Sequence, residues 1–406
     1  MPKYFYTAKS LKGGEEETGT LEAKNVHELS HHLRQRQFIL VKARVEAGEE
    51  EKKSLEISLP FKGVPLQEKL FFVRNLRVMT LAGLPLPKAL EALSQQTKNK
   101  KLQEAMQHAR EQITKGRTLS SALSDYPDIF SDLFRSMIGV GEESGTMDDV
   151  LKSLSLQLEK EYELNSKIKG ALIYPAVIIS AMLAVGVFML VTVIPELAAT
   201  FEDLGIELPA TTQAVIGLAD FLIEKWYVVV MGIVGIVLTF QQGMKREGFK
   251  KRVDMILLKI PVISDIIKKT NAAYMLRTLS SLLGAGTAFP QALKVTSGVL
   301  GNYYFKKSMT EAAEQVRKGE KLSEVLSHYE GVYPSVVIQM TAVGEETGET
   351  TTILSTLADF FEEEVGRATK NLASIIEPVL MLIIGVVIGF FAVSMIQPMY
   401  SMVGSL

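Results

Sequence analysis

The peptide VGEESG occupies residues 140–145, and VGEETG occupies residues 343–348, 203 positions further along. Sliding the chain against itself by this displacement matches 71–203 to 274–406 without a gap. Arg74 then pairs with Arg277, Ala82-Gly83 with Ala285-Gly286, Pro87 with Pro290, and Ala89-Leu90 with Ala292-Leu293. QITKGRTLSSAL from Gln112 mirrors QVRKGEKLSEVL from Gln315. Tyr126 and Tyr329, Met137 and Met340, Glu159 and Glu362, Pro175 and Pro378, and Pro195 and Pro398 continue the register. A match this long predicts one structural unit present twice.

Outward from the hexapeptides, each copy runs into an apolar stretch. Residues 171–194 are 24 positions without a charge. As a helix they cover about 36 Å at about 1.5 Å per residue, enough for a hydrocarbon core of about 30 Å. Residues 378–396 form a similar run of 19. Between the copies, WYVVVMGIVGIVLTFQQGM at 226–244 carries two glutamines near its end, but it opens on Trp226 and Tyr227, where an interfacial aromatic belt belongs. Lys160, Lys167 and Lys169 precede the first span, and Lys245, Arg246, Lys250, Lys251 and Arg252 follow the second, whereas 195–224 contains no Lys or Arg. By the positive-inside rule 195–224 faces outward, and Arg367 and Lys370 place the second copy on the cytoplasmic side with the first. Like-oriented copies need an odd number of crossings between them, and 226–244 supplies one. A parallel repeat of this kind differs from the inverted repeats of many transporters.

Leu151, Leu154, Leu158 and Tyr162 recur at helical spacing, as do Leu354, Leu357, Phe361 and Val365, so an amphipathic helix leads toward each span. Lys115-Gly116 and Lys318-Gly319 read as helix ends. Ahead of the repeats, 4–8 and 18–23 read as strands around a Gly13-Gly14 turn, Asn25 with Glu28 as a capping box, and 38–45 as a third strand. The expected fold class is mainly α: two homologous cytoplasmic helical-bundle domains in tandem, three transmembrane helices and a small N-terminal α+β (ββαβ) module. The expected divisions are the module at 1–45, a linker at 46–66, the first helical domain at 67–170, a span at 171–194 and an extracytoplasmic loop at 195–225. A span at 226–244, a basic connector at 245–270, the second helical domain at 271–376, a span at 377–397 and an extracytoplasmic tail at 398–406 complete it.

With 406 residues the chain has room for two or three domains. A net charge of -2 leaves no footprint for nucleic acid, and the absence of cysteine excludes disulfides, thiolate metal sites and Cys nucleophiles. The start shows no apolar signal-peptide region, so the N-terminus is expected to stay in the cytoplasm. His27-Glu28-Leu29-Ser30-His31 matches the zincin pattern H-E-x-x-H, but it has no third ligand nearby, and Glu28 has a competing role in the capping box. No Walker A or G-x-S-x-G pattern occurs. No metal or other cofactor is expected, and no catalytic residue is assigned.

The two hexapeptides read either as tight inter-helix turns, their acids biased toward the next helix's positive end, or as an acidic docking face or hard-cation site of Glu142, Glu143, Glu345 and Glu346. Arg74 and Arg277 are their candidate ion-pair partners. In the third span Gly385 and Gly389 form G-x-x-x-G, which lets another helix approach closely. Glu377 reads as a carboxylate at the inner interface, and the interiors of the first and third spans carry no acidic or basic side chain, against an ion relay. A transporter or channel built from a parallel repeat is the alternative class.

The small leader, the two copies of A-G-x-x-x-P-x-A-L, K-G-x-x-L-S and V-G-E-E-[ST]-G, and the order of the three spans together resemble the type II secretion system F family. The resemblance covers essentially the whole chain. It implies a non-enzymatic platform protein of the bacterial inner membrane that serves type IV pilus assembly or type II secretion and forms homo-oligomers. The implied partners are a hexameric cytoplasmic ATPase, pilin or pseudopilin subunits and other components of the machine. On this resemblance Glu142, Glu143, Glu345 and Glu346 map onto the family's acidic turn and become candidate coupling residues.

Overall fold

The computed structural model describes residues 3–10, 16–23, 26–45, 63–203 and 210–404. They belong to two compact units, Met1–Lys62 and Gly63–Leu406.

In the first unit, β1 (Lys3–Ser10), β2 (Glu16–Glu22), α1 (Val26–Gln35) and β3 (Phe38–Val45) form the expected ββαβ module. The sheet order is β2-β1-β3, with both pairings antiparallel. Alternation along β1 buries Tyr4, Tyr6 and Ala8, and Leu29 and Leu33, four residues apart on α1, complete this small core. The expected Gly13-Gly14 turn, Asn25 of the expected capping box and residues 46–62 of the expected linker lie outside the described residues.

The second unit opens with α2 (Leu66–Leu81), α3 (Leu86–Gln96), α4 (Lys100–Thr114), α5 (Leu119–Leu123), α6 (Asp132–Ser144) and α7 (Met147–Phe188). A π-helical turn at Met189–Val193 and α8 (Ile194–Asp203) extend α7. Next come α9 (Ala210–Glu224), α10 (Trp226–Met244) and α11 (Glu247–Leu257). The second copy repeats the first set in order as α12 (Ile263–Gly284), α13 (Phe289–Val299), α14 (Tyr303–Arg317), α15 (Leu322–Ser327), α16 (Ser335–Thr347) and α17 (Thr350–Gly404). Local chemistry starts and stops these helices. Asn99 accepts the Leu102 N–H, Thr118 that of Ser121 and Ser131 that of Phe134, each an N-cap bond. Lys115 and Lys318 are the C-caps of α4 and α14, as expected, followed by Gly116 and Gly319 at positive φ. Gly145 and Gly348 close α6 and α16 at φ 73° and 76°, a left-handed conformation that costs a residue with a Cβ about 1–2 kcal/mol.

Each copy's amphipathic helix continues without a break into the apolar run. Leu151, Leu154 and Leu158 of α7 are buried, as are Leu354, Leu357, Phe361 and Val365 of α17. Tyr162 differs from its expected position: it is exposed, and Leu164 takes the inward place. Further along α7 the pattern inverts, and Ile173, Val177 and Phe188 are exposed. Three helical stretches, Met147–Thr200, Trp226–Met244 and Thr350–Ser394, are long and apolar enough to cross a membrane. The π-turn ends two residues before Pro195, which has no N–H to donate to the Val191 carbonyl and whose ring would crowd it in a regular α-helix; widening the helix there accommodates the proline.

The two copies share one continuous core, which runs from Val64 to Leu164 and on from Ala272 to Val365. Within it α7 and α17 lie side by side and run in the same direction. At the near end Lys160 stands 3.5 Å from both Asp359 and Glu362. At the far end Leu190, Ile194 and Phe391 meet around Val215 and Ala219 of α9, while the Thr212 hydroxyl donates to the Ser394 carbonyl at 2.7 Å. Helix α10 starts beside α9 at that far end and leads back to α11, where Asp254 accepts the Tyr303 N–H that opens α14 at 2.8 Å. The middle apolar helix therefore runs opposite to the other two.

Candidate functional site

The hexapeptides form the last turns of α6 and α16. For Glu142 and Glu345 the expected bias toward the next N-terminus is corrected: their carboxylates reach back to a helix that ended about twenty residues earlier. Glu142 accepts the Leu119 N–H, the Ser120 N–H at 2.9 Å and the Ser120 hydroxyl at 2.6 Å. Glu345 repeats this with the Leu322 N–H at 2.5 Å, the Ser323 N–H at 3.0 Å and the Ser323 hydroxyl at 2.5 Å. Each carboxylate fills the free donors at the start of a short helix, α5 or α15, where the helix dipole also favours negative charge. The result is an acidic clamp that ties α5 to α6 and α15 to α16.

Beside each clamp, Glu143 and Glu346 are exposed. The two hexapeptides are not brought together by any hydrogen bond or ion pair among the described residues. Nor does any group of three His, Asp or Glu side chains able to hold a metal ion occur among the described residues. His31 is exposed on α1. The glycines at 141 and 344 have a packing reason. A Cβ on Gly141 would lie 3.1 Å from the Val150 Cβ, and one on Gly344 would lie 3.1 Å from the Thr350 Cα, so the corner into the long helix closes only without a side chain.

The arginines expected to partner the acidic turns pair elsewhere. Arg74 meets Glu159 at 2.7 Å, and Arg277 meets Glu362 at 2.7 Å and Asp359 at 2.5 Å. The pair in the first copy is about half exposed, while Arg277 and Glu362 keep only 6% and 9% of their side-chain surface. The difference arises because Lys160 of the first copy closes over the second copy's pair. Burial alone would lower the Arg277 pKa; Glu362 and Asp359 overcome it and hold the guanidinium charged.

A second cluster, missed in the sequence, lies where α7 meets α2 and α12. Burial raises the Glu161 carboxyl and lowers the Lys69 ammonium, each against the other's opposing charge. Burial, reinforced by Glu161, pushes Tyr274 up to about 12, and its hydroxyl donates to Asn165 at 3.1 Å. No spacing rule marks these residues, since their partners come from separate helices. In α17, Gly385 and Gly389 face open space, with nothing within 4 Å of a built Cβ.

The profile of the family described as type II secretion system (T2SS), protein F matches residues 72–195 and 275–398, two segments with the same 203-residue displacement as the hexapeptides. The chain belongs to this family. Among curated proteins, the type IV pilus assembly protein PilC of Thermus thermophilus is 32% identical over 406 residues, covering 100% of this chain and 99% of the relative. PilC of Pseudomonas aeruginosa is 32% identical over 372 residues, 91% of this chain and 97% of the relative. The type II secretion system protein F of Vibrio cholerae is 28% identical over 408 residues, 99% of this chain and 98% of the relative. Each matched segment contains one clamp, one Arg–Glu pair and one whole apolar run, so the unit that recurs in this chain is the clamp-bearing bundle together with its own apolar helix.

Proposed function

We propose that this chain is the platform subunit of a type IV pilus or type II secretion machine in a bacterial inner membrane. Both helical copies and the N-terminal module lie in the cytoplasm in this reading, and α7, α10 and α17 cross the bilayer. The protein catalyses no reaction itself. It couples a hexameric cytoplasmic ATPase to the insertion of pilin or pseudopilin subunits, because lifting an apolar helix from lipid requires work delivered from outside the bilayer.

The observation that carries this reading is the continuity of α7 and α17: in each copy the helix that packs against the clamp-bearing bundle is the one that becomes the apolar span. A push on either bundle thus reaches the bilayer through a single helix rather than a loop. Glu143 and Glu346 supply exposed charge for docking the ATPase, while Glu142 and Glu345 hold the surface that presents them. Gly385 and Gly389 offer an open face where a pilin helix or another membrane component packs closely. The test is a full-length Glu143→Lys, Glu346→Lys variant in the native host. Pilin or secretion substrate should accumulate unassembled, and the ATPase should no longer co-purify. Normal assembly with normal ATPase recovery would refute the coupling role.

A further inference from the structure

The contact between the two copies is head-to-tail: each contributes a different face. From the first copy, Gln157 of α7 accepts the Ser281 hydroxyl at 3.0 Å and stands 3.5 Å from the Thr278 hydroxyl, and Lys160 reaches Asp359 and Glu362. The second copy receives them on α12 and α17. Because the two copies share one fold, each also carries the other's kind of face, unused. The second copy's unused face on α17 has Phe360 where α7 has Gln157; the first copy's unused face has Phe71, Val78 and Leu156 where the receiving face has Tyr274, Ser281 and Asp359. All four apolar residues are exposed, at 47% for Phe360, 47% for Phe71, 65% for Val78 and 48% for Leu156.

At the glutamine–serine contact the substitutions run in a matched direction; at the charged contact Lys160 gives way to Glu363, which would stand over the Arg74–Glu159 pair with Leu156 in place of Asp359. Inside the chain a glutamine meets a serine; on the two free faces the same positions hold a phenylalanine and a valine. Two surfaces that change from polar to apolar at opposing positions remain complementary to each other. We infer that the free face of α17 in one molecule docks on the free α2–α7 face of a second copy, repeating between chains the contact made within one. This deepens the self-association expected of a platform protein, but it rests on the geometry of the repeat and not on the coupling role.

The geometry of repetition supports the membrane setting. Helices α7 and α17 run side by side in the same direction from Lys160 to Leu190, so a contact repeated between chains with the same geometry keeps their apolar helices parallel. A heterologous contact of this type builds a ring or an open row, never an isolated two-fold dimer.

The chain has no cysteine, so introduced ones report without background. Full-length V78C and F360C single variants are mixed in membranes, oxidised and compared with each variant alone; Q157C/S281C in one chain is the positive control for the internal contact. The inference expects a covalent dimer only in the mixture, and a ladder from the V78C/F360C double variant. It also expects Phe360→Glu, at an exposed position, to lower the mass of the detergent-solubilised particle. Cross-linking of V78C to itself would show a two-fold interface and overturn the proposal, as would a working control with no product in the mixture.

Discussion

Replacing Glu142 by alanine removes the acceptor for three donors at the start of α5: two backbone N–H groups and the Ser120 hydroxyl. A hydrogen bond to a charged group contributes about 1.5–3 kcal/mol net, but this site is half-exposed and Thr118 still caps Ser121, so water and the remaining cap recover part of the loss. We expect about 2 kcal/mol from Glu142→Ala and about 1 kcal/mol from Glu142→Gln, which keeps one acceptor oxygen without the charge. The loss is local, so it belongs to the opening of α5 and not to the whole bundle. Hydrogen exchange followed by mass spectrometry on the detergent-solubilised protein reads it directly. About 2 kcal/mol speeds exchange of the amides in 119–124 about 30-fold, at about 1.36 kcal/mol per decade, and leaves α7 unchanged. Glu345→Ala should do the same to 322–327, and Glu143→Ala, which leaves the acceptors of both clamps in place, should do neither. If Glu142→Ala left 119–124 protected as before, the clamp would not hold α5 and the separation between Glu142 and Glu143 would collapse.

The two arginine pairs should respond unequally to the same change. Arg277→Ala leaves Glu362 in a nearly closed site with only the more distant Lys160 ammonium as a partner and should cost about 3 kcal/mol, whereas Arg74→Ala on the exposed pair should cost less than about 1 kcal/mol; equal shifts in urea midpoint would contradict the burial difference. Glu161 provides a pH test. Its folded pKa is raised by burial above the unfolded value of about 4.3, so its contribution to stability is present in full below that value and fades as pH rises through the folded one. Glu161→Gln should therefore flatten the fall in unfolding midpoint over this window, and parallel curves for variant and parent would count against a buried carboxyl.

Much of this architecture is legible in the amino-acid sequence because the duplication supplies a second copy to compare. Caps, left-handed glycines and apolar runs are local signals, and Gly116 with Gly319 or Ser120 with Ser323 confirm one another by recurring at the same displacement. What local rules miss is where a long side chain goes. Glu142 follows a helix-ending pattern, yet its partners lie about twenty residues upstream, and only the folded corner of α5 against α6 brings them within reach. The arginine assignment failed for the same reason: proximity to an acidic turn in sequence is not proximity in a bundle. A better signal was present, since Arg74 with Glu159 and Arg277 with Glu362 recur as opposite charges in both copies at one separation.

The positions where the copies differ carry equal information, for a reason set by the geometry of packing. Two identical units placed head-to-tail cannot bury the same face, so the side chains at their junction are released from matching. Lys160 faces Glu362 across the junction, while its counterpart Glu363 remains exposed and pairs with Arg367 on its own helix. Gln157 is buried and its counterpart Phe360 is not. Sameness between the copies therefore marks what each bundle needs for its own fold, the clamp and the glycine corner. Difference marks where one bundle ends and something else must fit.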